Sequence, residues 1–318
     1  MTRIDLHAHI TPPEYLEGLR APDGSRPPLP PATAEDLMAT MERHDIDAAV
    51  ISPGPPGVFF GDQGRANDLA HTLNEVLAGV AHQAPARFAA LATLPLPDVD
   101  AALAALTHAL DVLGMDGVWL PSHVAGIYIG DPAWDAVFDE LHRRKAYVFV
   151  HPALPPYATP APHPVWLYEF PFETTRALAS LIYSGTFERC PDIRMQFAHL
   201  GGAAPFLAHR LASLADREPD LATAAPAGAL EYLRRQHYDT GLSNHELAVK
   251  TVLDVTSLDH VVFGTDFPYA ALPPEGGDPA PELTFLGDDR GRVDSGNAGR
   301  LVPRLVDAMR STTEQMQR

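Results

Sequence analysis

The chain has 318 residues, with 41 Asp and Glu against 23 Lys and Arg, a formal net charge of −18. That balance argues against nucleic acid or an anionic membrane as partner, and it leaves no long-range field to steer an anionic substrate; positive charge must be supplied locally. Hydrophobic residues make up 46% and charged residues 20%, as in a globular protein, and no apolar run reaches the roughly 18 residues of a membrane span.

Apolar, β-branched runs alternate with amphipathic stretches along the whole chain. The N-terminus passes directly into the first predicted strand, 4–9, with no signal-peptide pattern, which together with a single cysteine, Cys190, leads us to expect a cytoplasmic protein. Cys190 reads as a packed small hydrophobe rather than a nucleophile. A Pro-rich loop, 21–31, follows, and then a helix over 33–44. That helix opens on Thr33-Ala34-Glu35-Asp36, a hydroxyl three residues before a carboxylate, as in a capping box. Further strands are predicted at 48–52, 88–93, 117–120, 147–150, 194–198, 238–241 and 261–264. Helical patterns separate them at 65–82, 99–113, 134–144, 174–188, 205–216 and 246–254, and a last one lies near 298–309. Asp98 and Asp131 stand just ahead of two helices, where they can accept orphan amide protons.

Strands alternating with helices imply βαβ units and a parallel sheet. Eight of them in a chain of this length predict a closed (β/α)8 TIM barrel forming one domain over 1–318, with an open doubly wound sheet as the alternative. Three long loops, 21–31, 152–171 and 269–293, leave the carboxyl ends of strands, the face on which barrel enzymes build their sites.

The chemistry is concentrated at that face. His7-Ala8-His9 closes strand one, and residues two apart in an extended chain project to the same side. Alone the pair is weak, because the chain contains 15 His. Three further donors occupy the same end of other strands: His151 after 147–150, His199 after 194–198, and Asp266 after 261–264. Imidazoles with one carboxylate suit Zn²⁺ and related ions better than Ca²⁺ or Mg²⁺. Candidate walls for an apolar pocket are Phe59 and Phe60 after strand two, Trp119 on strand four, and Trp166 with Tyr168 after strand five. His123, Asn244 and His245 lie on the same face as candidate substrate contacts. His44, His71, His82, His108, His142 and His209 fall inside helical patterns and read as surface residues.

In order, HxH, His151-Pro152, Ala198-His199-Leu200-Gly201-Gly202 and Gly264-Thr265-Asp266-Phe267-Pro268 resemble the amidohydrolase superfamily. Phe170-Pro171-Phe172-Glu173-Thr174-Thr175-Arg176, Ser184-Gly185, Arg189-Cys190-Pro191-Asp192 and Gly296-Asn297-Ala298 are similar to the branch containing aminocarboxymuconate semialdehyde decarboxylase. The resemblance implies one divalent metal ion, Zn²⁺ with Mn²⁺ as the alternative, held by His7, His9, His151 and Asp266. It implies His199 as the acid–base residue, with either His199 or Asp266 supplying a proton, and it implies a homodimer. Binuclear members use a carboxylated Lys at the end of strand four; here Trp119-Leu120-Pro121-Ser122 contains none, which favours a single ion.

The segments 4–13, 53–58, 94–100 and 128–132 resemble the 6-methylsalicylate decarboxylase type. The semialdehyde decarboxylases carry a substrate-binding Arg early in the first helix, whereas residues 37–39 here are Leu, Met and Ala. The expected reaction is therefore non-oxidative decarboxylation of a small aromatic, ortho-hydroxybenzoate-like acid. Metal-dependent hydrolysis of a C–C, ester, lactone or amide bond by activated water is the alternative. A metal-binding barrel without catalysis, a sensor or scaffold, is the reading from a different class.

Overall fold

The computed structural model describes residues 2–20, 24–27, 29–156, 163–215 and 217–316; residues 21–23 and 28 of the first predicted loop, 157–162 of the second, and the last residue of the 205–216 helix lie outside them. Eight parallel strands follow one another around the sheet: β1 Ile4–His9, β2 Ala48–Ser52, β3 Phe88–Thr93, β4 Gly117–Pro121, β5 Tyr147–His151, β6 Arg194–Phe197, β7 His237–Asp239 and β8 Val261–Val262. Closure comes from the amide of Leu6, which donates to the carbonyl of Phe263 (2.9 Å), and that of Asp266, which donates to the carbonyl of His7 (2.7 Å). This is the closed (β/α)8 barrel, not the open sheet.

The strands read as continuous apolar runs because they are buried on both faces. One set of side chains packs outward against the helices. The other, including Val50, Leu91, Trp119, Phe149 and Val262, gathers with Leu301 and Leu305 of the C-terminal segment. The crossover helices are α1 Ala34–Arg43, α2 Gln63–Gln83, α3 Val99–Thr107, α4 Asp135–Arg143, α5 Glu169–Tyr183, α6 Ala204–Ala215 and α7 Glu246–Leu253, with α8 Pro303–Met316 last. The capping box at Thr33 is complete, its Oγ1 accepting from the Asp36 amide and the Asp36 carboxylate accepting from the Thr33 amide. Asp98 caps α3 through the amide of Ala101.

Several predicted boundaries move. The 174–188 helix is two helices, α5 and the short Thr186–Arg189, because Gly185 takes φ +77° between them. β7 and β8 are shorter than predicted, ending at Asp239 and Val262. A small hairpin, His123–Val124 with Ile127–Tyr128, and a 3-10 segment, Pro281–Asp289, were not anticipated. His44 is buried rather than superficial: its Nδ1–H donates to the carbonyl of Gly277 at 3.0 Å. Cys190 is buried, as expected for a packing residue.

Candidate active site and metal centre

The β1–β2 register slips between Asp5 and Ala8, a bulge of the kind that re-aims side chains next to active sites. Beyond it His7 and His9 meet with their Nε2 atoms 3.1 Å apart. Oδ1 of Asp266 lies 3.1 Å from Nε2 of His7 and 3.2 Å from Nε2 of His9. His151, at the end of β5, brings its ring centroid to 5.2 Å from His7 and 4.8 Å from His9. His199, just past β6, places Nε2 at 3.1 Å from Oδ2 of Asp266. One donor atom from each of His7, His151, His199 and Asp266 falls within 4.8 Å of all the others. The five residues named from the sequence therefore converge, and all are buried.

Two of them hold unusual backbone: His199 has φ +56° and Asp266 φ +65°, a region that side chains with a Cβ enter at a cost of about 1–3 kcal/mol. Space around His7 is made by glycines. A Cβ on Gly264 would stand 2.6 Å from Cβ of His7, and one on Gly241 2.7 Å from Nδ1 of His7.

The outer nitrogens fix the tautomers. Nδ1–H of His7 donates to Oδ1 of Asp239 at 2.8 Å, since a carboxylate can only accept. Nδ1–H of His151 donates to the carbonyl of Pro152 at 2.9 Å. Oγ of Ser52 donates to the carbonyl of Ala8 and so accepts from Nδ1–H of His9 at 2.9 Å. All three imidazoles thus turn Nε2 inward. Nε2 of His7 and His9 face each other at 3.1 Å, and Nε2 of His151 and Oδ1 of Asp266 are buried without a hydrogen-bond partner among the described residues. A cation among these atoms would satisfy the unpartnered ones.

Electrostatics point the same way. Burial lowers the proton affinity of His7, but Asp239 and Asp266 outweigh it and lift its pKa to about 10. Burial raises the Asp266 carboxyl, yet the charge of His7 and the hydrogen bond from His199 hold it well below its usual range. Burial, then the neighbouring imidazoles, drives His151 down. Two buried carboxylates that draw a proton onto a histidine form a site complementary to a divalent ion, which supplies that charge instead.

Asp239 had no local sequence signal beyond its place at the end of β7. It accepts from Nδ1–H of His7, the amide of Gly241 (3.0 Å), Nε2–H of Gln196 (2.8 Å) and the amide of His199 (3.3 Å). Asp5 is equally buried and takes the hydroxyl of Thr265 at 2.5 Å and the amides of Thr265 and His7, tying β1 to the residue before Asp266. Tyr269 packs 6.0 Å from His9, and burial followed by Asp266 pushes its hydroxyl up to about 12, so it stays a donor.

The candidate substrate contacts scatter. Trp119 is buried with its ring centroid 6.1 Å from His151, and its indole N–H has no partner among the described residues. His245 lines a cavity of about 320 Å³ together with His199, Phe206, Ser243 and Leu247, and its Nδ1 also accepts from the amide of Leu247. Phe59 is half-buried against the helix-facing core. Phe60 is at the surface beneath the guanidinium of Arg65, and Trp166 is 61% exposed. His123 donates from Nε2 to the carbonyl of Leu154 at 2.8 Å, packing on Tyr128.

Fold and donor set together describe a barrel with a buried cluster of metal-ligating side chains at the carboxyl ends of its strands. Residues 4–304 match the amidohydrolase family model, and the chain belongs to the amidohydrolase family. Decarboxylase yanB of Aspergillus niger is 34% identical over 294 residues, covering 86% of this chain and 78% of its own. The 6-methylsalicylic acid decarboxylase of Penicillium expansum is 31% identical over 324 residues, covering 96% and 97%. The 5-carboxyvanillate decarboxylase of Novosphingobium aromaticivorans, solved with bound manganese and 3-methoxy-4-hydroxy-5-nitrobenzoic acid, shares the fold with a TM-score of 0.82 at 22% identity. That alignment covers 95% of this chain and 97% of the other.

Proposed function

We propose that the protein is a metal-dependent, non-oxidative decarboxylase of a small aromatic acid bearing an ortho oxygen substituent. The observation that carries this is the inward convergence of Nε2 of His7, His9 and His151 beside Asp266, in a family whose similar members include decarboxylases of aromatic acids. His7, His9, His151 and Asp266 would hold one divalent ion, Zn²⁺ or Mn²⁺ by donor type. When bound, the ion supplies the Lewis acidity that binds and neutralises an anionic acid in a chain of net charge −18.

The chain's own residues do the rest. Asp239, Ser52 and the Pro152 carbonyl lock the three imidazoles in one tautomer and orientation. His199 differs from them: its Nε2–H is engaged by Asp266, while its Nδ1 is buried with no partner among the described residues. That nitrogen is the position at which a proton can be held and delivered to the ring carbon that loses the carboxylate. The cavity beside His199 gives an aromatic ring a place to lie, with His245 in its lining, while Trp119 packs 6.1 Å from His151 between ring centroids. Phe59, Phe60, His123 and Trp166 are not part of that cavity's lining.

Phe206 and Leu247, both exposed and both lining that cavity, offer apolar surface that a second copy of the chain would cover, consistent with a homodimer. The buried, reduced Cys190, whose thiol burial pushes up to about 11, suits a cytoplasmic setting. The test is His199→Ala. Metal content unchanged with decarboxylation reduced by about 10²-fold or more supports the assignment. Loss of the metal in that variant would make His199 a ligand instead, and unaltered turnover would remove it from the reaction.

A further inference from the structure

Far from the strand ends, two imidazoles and a carboxylate meet on the outer layer of helices. His71 and Glu75 stand four residues apart on α2 and so share one face of a 21-residue helix. Opposite them, α3 runs into a π turn, His108–Val112, closed by the amide of Leu113 donating to the carbonyl of His108 at 3.0 Å. Single π turns recur at functional positions. Leu106 just before the turn and Ala109 within it are buried, which pins the turn against its neighbours. Nε2 of His108 lies 2.9 Å from Oε1 of Glu75, and the His71 and His108 rings are 5.6 Å apart between centroids. A ligand atom from each of the three falls within 4.8 Å of the other two.

We propose that His71, Glu75 and His108 form a second, peripheral site for a borderline divalent transition ion such as Zn²⁺. Two imidazole nitrogens and one carboxylate oxygen are the donor set of three-ligand zinc sites, with the remaining position left to water. Mg²⁺ and Ca²⁺ favour all-oxygen environments and are poor matches. The side chains of Glu75 and His108 are only partly covered, 46% and 37% exposed, so the ion has an open approach and the ligands lose little hydration on binding it. Two of the three donors come from one rigid helix, which limits the ordering needed to bind. An ion there would clamp α2 to the end of α3, well away from His199 and Asp266.

The experiment is a calorimetric titration of the metal-loaded enzyme with ZnCl₂, paired with thermal melts, for the wild type, His71→Ala, His108→Ala and Glu75→Gln. The expected result is one further equivalent of zinc per wild-type chain, with a rise in melting temperature. Affinity for that equivalent should fall by at least about tenfold in each variant, while turnover without added zinc stays at the wild-type level. Absence of the further equivalent in the wild type, or its survival in both histidine variants, overturns the proposal. Circular dichroism establishes that each variant is folded, and Glu75→Gln, which alters only charge at a half-exposed position, keeps the test open if an alanine variant misfolds.

Discussion

Nδ1 of His7 lies 2.8 Å from Oδ1 of Asp239, with neither side chain exposed. This contact joins β1 to β7 across the barrel and decides which nitrogen of His7 faces the centre. Asp239→Asn keeps the shape but can present an amide donor to Nδ1, so the tautomer is no longer imposed. Metal affinity should fall by about 10–100-fold, read by competition with a chromogenic chelator. An unchanged affinity would mean that Asp239 serves the fold alone.

Gly241 makes the same contact possible by having no side chain. A Cβ there would stand 2.7 Å from Nδ1 of His7 and 3.0 Å from Oδ1 of Asp239. Gly241→Ala should leave the barrel folded, as judged by far-ultraviolet circular dichroism, yet purify with substoichiometric metal. A fully loaded Gly241→Ala protein would show that the His7–Asp239 pair can shift without consequence.

Acid stability should depend on His237, buried at the start of β7. Burial, followed by the charges of His260 and Arg300, depresses its pKa to about 3. Its folded value is therefore below the unfolded value of about 6.5. Above pH 6.5 it is neutral in both states and has no effect. As pH falls from 6.5 towards 3 the unfolded chain takes up the proton first, and stability drops by up to about 1.4 kcal/mol per pH unit. Other buried groups are shifted too, so the measurement is a comparison: chemical denaturation at several pH values should give a shallower acid slope for His237→Phe than for the wild type.

Trp119 carries a buried indole N–H with no partner among the described residues, next to His151. An unpaired buried donor costs about 1–3 kcal/mol unless something fills it, and under the proposed function an oxygen of the bound acid would be its acceptor. Trp119→Phe keeps an aromatic ring and removes the donor. KM should rise about tenfold with kcat nearly unchanged, because the contact is present in ground and transition states alike. Loss of kcat alone would point to a positioning effect through His151.

The barrel and the five converging residues were legible because each left a mark in one dimension: eight apolar runs, and His or Asp at the end of β1, β5, β6 and β8. What supports them was not. Asp239 and Ser52 are ordinary polar residues at strand ends until closure brings β7 and β2 against β1. The helix break at Gly185 and the burial of His44 likewise depend on tertiary contacts, since a helical histidine with polar neighbours carries no sign that Gly277 will cover it. The aromatic candidates fared unevenly for the same reason. Trp119 sits on a strand whose direction the barrel dictates, whereas Phe60 and Trp166 lie in loops free to turn outward.

Decarboxylation is read out as carbon dioxide released from a panel of 2-hydroxybenzoates by the metal-loaded enzyme. At least one member of the panel should yield one carbon dioxide per acid consumed, with release abolished by a chelator and restored by Zn²⁺ or Mn²⁺. Full metal occupancy with no carbon dioxide from any member, or consumption of substrate that yields a hydrolysis product instead, would contradict the decarboxylase assignment.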